Sequence, residues 1–101
     1  MIVELSKSNR KDKKWKVILY ENGKKKKTIH FGDSRYSDYT LHKNKKRMEA
    51  YTARHRKKEN WNKSGIDTAG FWSKWLIWSK PSLNQAIKHI ENKFNINIIK
   101  K

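Results

Sequence analysis

Asp67-Thr68-Ala69-Gly70-Phe71-Trp72-Ser73-Lys74-Trp75-Leu76-Ile77-Trp78 holds three of the five tryptophans of a 101-residue chain. Each large apolar side chain gains roughly 1.5–3 kcal/mol on burial, so this stretch has to pack against something. The rest of the chain is dominated by lysine. A sequence that basic could be a disordered tail, but disordered segments are poor in aromatics. The stretch therefore marks the centre of a folded domain that carries a cationic coat.

Working outward from it, Thr68 can cap a helix running from Ala69 to Trp78. Lys80-Pro81-Ser82 ends that helix, because proline lacks the amide donor and disfavours helix at the residue before it. Ser82 caps the next helix, where Leu83, Ile87, Ile90 and Phe94 repeat at helical spacing. Ile96 and Ile98 then alternate, as in a final short strand or a packed tail. Upstream, Asn62-Lys63-Ser64-Gly65 separates the tryptophan segment from a basic helix reaching about Lys58. That helix starts at Thr40 or, with Asn44 as its cap, at Lys45. At 100° per residue it places Leu41, Met48, Tyr51 and His55 on one face. Lys43, Lys46, Arg47, Arg54, Lys57 and Lys58 fall on the other.

The N-terminal third reads as strands. Ile2 to Leu5 suits a short one, and Ser6 to Lys14 is a basic connector, flexible over about 6–14. Trp15, Val17 and Leu19 share one face of the next strand, and Thr28 to Phe31 returns. Asn22-Gly23 is a strong hairpin signal. A two-residue turn alone would set Ile29 opposite Lys16, on the wrong face. Setting Val17 opposite Ile29 and Trp15 opposite Phe31 calls for an odd loop, Asn22-Gly23-Lys24, with or without a bulge. The expected fold is one small α+β domain over residues 1–101: a β-hairpin, open to extension by a terminal strand, packed against three helices. Its core draws on Trp15, Val17, Leu19, Ile29, Phe31, Met48 and Tyr51, and on Phe71, Trp72, Trp75, Trp78, Leu83, Ile87, Ile90 and Phe94.

Charge narrows the function. Lysine and arginine number 26 against 9 acids, a formal net charge of +17. The apolar fraction is 35% and the mean hydropathy −1.13, so the core must be concentrated rather than spread out. Such a surface favours an acidic partner: nucleic acid, an anionic membrane surface or an acidic protein. Cysteine is absent, which excludes a disulfide framework and a thiolate zinc site. No apolar run is long enough for a transmembrane segment, and Met1 to Leu5 is too short for a signal peptide.

The constellations are read in that light. The six cations of the basic helix can track phosphates, helped by Lys24, Lys25, Lys26 and Lys27 at the hairpin. Arginine offers bidentate phosphate contact and lysine a point charge. Trp15, Tyr20 and Tyr36 are candidates for stacking on unpaired bases, whereas Phe71, Trp72, Trp75 and Trp78 read as core. Asp38 and His42 lie one helical turn apart, but no ligand motif frames them, and His55 beside Tyr51 reads as a packed, hydrogen-bonded histidine. A nuclease would need converging carboxylates for a divalent metal. The nearest pair, Asp33 and Asp38, reads as turn and cap residues. No catalytic residue, cofactor or metal is expected. The expectation is sequence-independent binding of nucleic acid through its phosphate backbone. The alternative is a structural or scaffold protein that docks an acidic protein or a membrane surface through an apolar patch among the tryptophans.

Three stretches also carry a resemblance. His30-Phe31-Gly32 with Tyr36-Ser37-Asp38-Tyr39-Thr40, Tyr51 with Arg54-His55, and Thr68-Ala69-Gly70-Phe71-Trp72-Ser73 running on to Trp78 and Pro81-Ser82-Leu83 resemble a family of small basic proteins of large nucleocytoplasmic DNA viruses. The likeness spans about residues 13–94. The family opens its basic helix with an acidic residue and a proline, where this chain has Asn44-Lys45. The resemblance implies a viral origin and a place in the host cytoplasm or virus factory, or in the virion; on it the expected nucleic acid is viral DNA, and the scaffold alternative is a virion or minor capsid protein. It implies no activity and no site residue.

Overall fold

The computed structural model describes residues 1–101. The α+β fold is a four-stranded mixed sheet with four helices, ordered β3-β2-β1-β4. β1 (Ile2–Lys7), β2 (Lys13–Glu21) and β3 (Lys24–Asp33) form an antiparallel meander, and β4 (Asn97–Lys100) adds in parallel beside β1. Between β3 and β4 come α1 (Tyr39–His42), α2 (Lys45–His55), α3 (Ala69–Trp72) and α4 (Leu83–Phe94). The terminal strand anticipated from Ile96 and Ile98 is thus present. The connector is shorter than expected, since Ser6 and Lys7 belong to β1 and Lys13 and Lys14 to β2.

The hairpin resolves the register conflict with a bulge rather than a longer loop. Asn22 and Gly23 have φ of 52° and 77°, the two positive values that a two-residue turn matching strand twist requires. Leu19 pairs with Lys27 and Tyr20 with Lys25, so Lys26 is the extra residue. That bulge sets Val17 opposite Ile29 and Trp15 opposite Phe31, as the apolar pattern demanded. Lys24 to Lys27 therefore belong to β3 rather than to a loop.

One sheet face supplies Val3, Leu5, Val17, Leu19, Ile29 and Phe31, all buried. Against it pack Phe71, Trp72, Leu76, Ile77, Ala86, Ile90, Phe94 and Ile96. The tryptophan segment is not one α-helix. Thr68 caps α3 by accepting from the Phe71 amide at 3.3 Å, and from Ser73 to Ile77 the chain widens into a π-helical turn. The wider winding turns Leu76 and Ile77 into the core and leaves Trp75 and Trp78 half-buried. Ser82 caps α4, whose buried stripe is Ala86, Ile90 and Phe94, with Leu83 and Ile87 at its margin.

The basic helix also departs from expectation. Asp38 caps a first turn, Lys43 ends it in the left-handed conformation at φ 56°, and Asn44 caps a second helix that stops at His55. Both proposed starts are real because there are two helices. Lys43, Lys57 and Lys58 therefore lie outside α2. No residue of α2 is buried: Met48 and Tyr51, expected in the core, are half-buried, and Leu41 is 63% exposed.

Gly65 is buried in the short turn before α3, and a Cβ there would collide with the carbonyl oxygen of Asn60. Gly65→Ala should therefore lower unfolding free energy by about 1–3 kcal/mol, the usual overpacking cost, as read by denaturant titration.

Candidate functional site

Asp38 is the only buried charged residue, at 1% exposure. Its carboxylate accepts from the Thr40 amide at 2.9 Å and from the Thr40 hydroxyl, capping α1. It also accepts from Lys14 Nζ at 2.6 Å, which ties β2 to the start of the helical layer. This pair was not legible in the chain, because the partners are 24 residues apart. Asp38 is consumed as cap and counter-ion and does not converge with Asp33. Instead, Asp33 accepts two hydrogen bonds from the Arg35 guanidinium, at 3.1 and 2.8 Å, and one from the Arg35 amide at 2.9 Å. Those bonds hold the Asp33 carboxyl down at about 2.

Around this framework lies a groove of about 520 Å³. One wall is the end of β3 and the following loop, Gly32, Asp33, Tyr36 and Ser37, with Lys14 beside them. The opposite wall is α2, through Arg47, Ala50, Tyr51, Arg54 and His55. The π-helical turn and the residue after it close the site with Ser73, Ile77 and Trp78. Gly32 has φ +78°, and a Cβ there would lie 3.2 Å from Ile77 Cδ1 and 3.4 Å from Lys14 Cβ. Glycine thus allows β3 to turn at the groove wall.

A column of rings holds α2 in place. Tyr51 stacks on Trp78 at 4.3 Å with an interplanar angle of 1°, and His55 stacks on the other partner, Tyr51, at 4.3 Å and 26°. His55 is thus packed, as its position suggested, but its ring makes no hydrogen bond within the chain, where a hydrogen-bonded histidine was expected. His42 touches Trp78 at 5.4 Å, and its Nδ1 accepts from the Asn44 amide at 2.9 Å. Burial pushes the Tyr51 hydroxyl up to about 12, with the Glu59 carboxylate adding to the shift. The Tyr51–Trp78 contact joins residues 27 positions apart, so no local spacing signals it.

The structure divides the ten cations anticipated as a phosphate-tracking set. Arg47 and Arg54 line the groove, and neither forms an ion pair with a carboxylate. Lys46 is exposed on α2, while Lys57 and Lys58 lie in the turn after it. Lys43 folds back, its Nζ donating to the carbonyls of Pro81 at 2.6 Å and Thr40 at 3.2 Å. Lys24, Lys25, Lys26 and Lys27 stand at the other end of β3. The strand rises about 3.3 Å per residue, which puts Lys25 roughly 23 Å from Gly32. Lys27 Nζ donates to the Asp67 carbonyl at 2.8 Å. The helix and hairpin cations are therefore two patches, not one.

The fold and groove define a small basic α+β protein with a cationic, aromatic-lined cleft. A family of unknown function, DUF5754, matches residues 3–55, just over half of the chain, and the protein belongs to that family. The match covers β1 to α2 and includes Arg47, Arg54 and Tyr36, but not the tryptophan segment. No curated protein and no solved structure matches the chain.

Two outcomes follow from this geometry. Lys14→Ala should cost about 3–5 kcal/mol in denaturant unfolding, because it strands the buried Asp38 carboxylate. Tyr51 is protonated in the fold above the ordinary tyrosine value of 10.0, so its contribution to stability is complete below that pH and is lost as pH rises through about 12. Tyr51→Phe should therefore flatten the fall in stability between those two values; an unchanged alkaline profile would show that the hydroxyl is not buried.

Proposed function

We propose that the protein binds nucleic acid without sequence preference, through phosphate contacts from α2 and the groove. The observation that carries this reading is the pairing of carboxylates. Asp33, in the groove wall, is neutralised by Arg35, and Asp38, beside the wall residue Lys14, by that lysine. Arg47 and Arg54 are left with unpaired guanidiniums on the same concave surface. A planar guanidinium gives a phosphate two parallel hydrogen bonds, and the contact carries no base information. Lys46, Lys57 and Lys58 add to the attraction around this patch, and Lys24 to Lys27 form a second patch for a longer ligand.

The motif resemblance described above supports a viral origin. On that reading the ligand is viral DNA, and the protein acts in the host cytoplasm or virus factory, or in the virion. Docking an acidic protein or a membrane through a tryptophan patch draws no support from the burial pattern. Trp72 has no exposed surface, while Trp75 and Trp78 are half-buried against the core and α2. No helix is long and apolar enough to cross a membrane.

Fluorescence anisotropy with labelled duplexes of unrelated sequence, across a salt series, tests this reading. Arg47→Ala with Arg54→Ala should weaken binding to every duplex alike. Losing two phosphate contacts should make the slope of log K against log salt shallower by about 2. Affinity and slope equal to wild type would remove these residues from the interface.

A further inference from the structure

We infer that the groove is built for unpaired nucleotides, with Tyr36 as a stacking platform for a base and Arg47 and Arg54 as the holders of the flanking phosphates. This rests on the phosphate-binding reading and narrows its ligand to single strands. Tyr36 is the most exposed large apolar side chain of the protein, at 65%, although it lines the groove. Its hydroxyl makes no hydrogen bond within the chain, and only the Arg35 guanidinium lies over its ring, at 5.5 Å. Arg35 is itself held by Asp33, so the loop carrying the tyrosine is braced before any ligand arrives. A braced, exposed aromatic at the lip of a cationic cleft is the arrangement on which single-stranded bases stack.

Size and spacing agree. The cleft, about 520 Å³, lies within the usual range of small-ligand sites, roughly 300–1,000 Å³. Phosphates of a duplex can still reach Arg47 and Arg54, which are exposed, but the base faces of a duplex are covered by their neighbours in the stack and cannot lie on Tyr36. Arg47 and Arg54 lie seven residues apart on α2, about 10 Å along its axis, so they can grip different phosphates of one strand. The stacking of Tyr51 on Trp78 holds that helix against the rest of the domain. Stacking is tolerant of base identity, which suits binding without sequence preference.

The test compares the full chain with Tyr36→Ala and Tyr36→Phe. Anisotropy is read with labelled single-stranded DNA, single-stranded RNA and a duplex of equal length. Wild type should prefer single strands to the duplex. Tyr36→Ala should reduce single-strand affinity by about 5- to 100-fold and leave duplex affinity unchanged, while Tyr36→Phe should keep the preference. The polymer with the larger loss identifies the strand as DNA or RNA. An equal single-strand to duplex ratio in wild type and Tyr36→Ala overturns the inference. If the double arginine variant still lowers binding in that case, phosphate recognition stands without the stacking platform. If wild type binds none of the three ligands, the phosphate reading fails and the inference with it. Tyr36 is exposed and outside the core, so folding of its variants is confirmed directly by circular dichroism.

Discussion

Packing of Trp72 against the sheet is the contact on which the other arrangements depend. Its ring lies 6.5 Å from Phe31 on β3 and 5.3 Å from Phe71, and its indole N–H donates to the Ile66 carbonyl at 2.7 Å. The large apolar surface and the single polar atom are therefore both satisfied in one position. Phe71 and Trp75 extend the contact to Phe94, at 5.0 and 5.5 Å, which brings in α4. Once α3 and α4 are seated, β4 can follow α4 back along β1. The π-helical turn then projects Trp78 out of the core toward Tyr51, and that ring pair positions α2.

A chain of net charge +17 folds only if its cations are kept apart or compensated. Four ion pairs are present, and only Lys14–Asp38 is substantially buried. Elsewhere lysines are accommodated by carbonyl oxygens and rings. Lys43 and Lys27 donate to backbone carbonyls. Lys74 lies over Trp61 and Trp75 at 5.1 and 5.4 Å, where burial lowers its ammonium below the ordinary lysine value. Asp33 and Asp38 are taken up by Arg35 and Lys14, and the guanidiniums of α2 form no ion pair.

Much of the fold was legible because its signals are local. Alternation marked β2, helical spacing marked α4, and Asn22-Gly23 marked the hairpin. Thr68, Ser82, Asp38 and Asn44 announced helix starts by the oxygen each offers to a free amide. The conflict between turn and apolar pattern even required an extra residue, but its place at Lys26 depends on strand pairing. The break at Lys43 was hidden because one helical period runs through both α1 and α2. For the groove, Arg47 and Arg54 could be placed on a helix, and Tyr36 recognised as a stacking candidate, but nothing joined Tyr36 to α2.

The sequence by itself determined that this protein has a tryptophan-centred core, an α+β order of elements and a strongly cationic surface. Those follow from composition, periodicity and capping, which act over a few residues. Tertiary structure decided which cations act together. It put Arg47 and Arg54 in one cleft with Tyr36, Tyr51 and Trp78, sent Lys24 to Lys27 to the far end of β3, and neutralised Asp38 with Lys14. Such groupings arise when distant segments compete for the same core volume and the same counter-ions, and neither competition leaves a periodic mark in the chain.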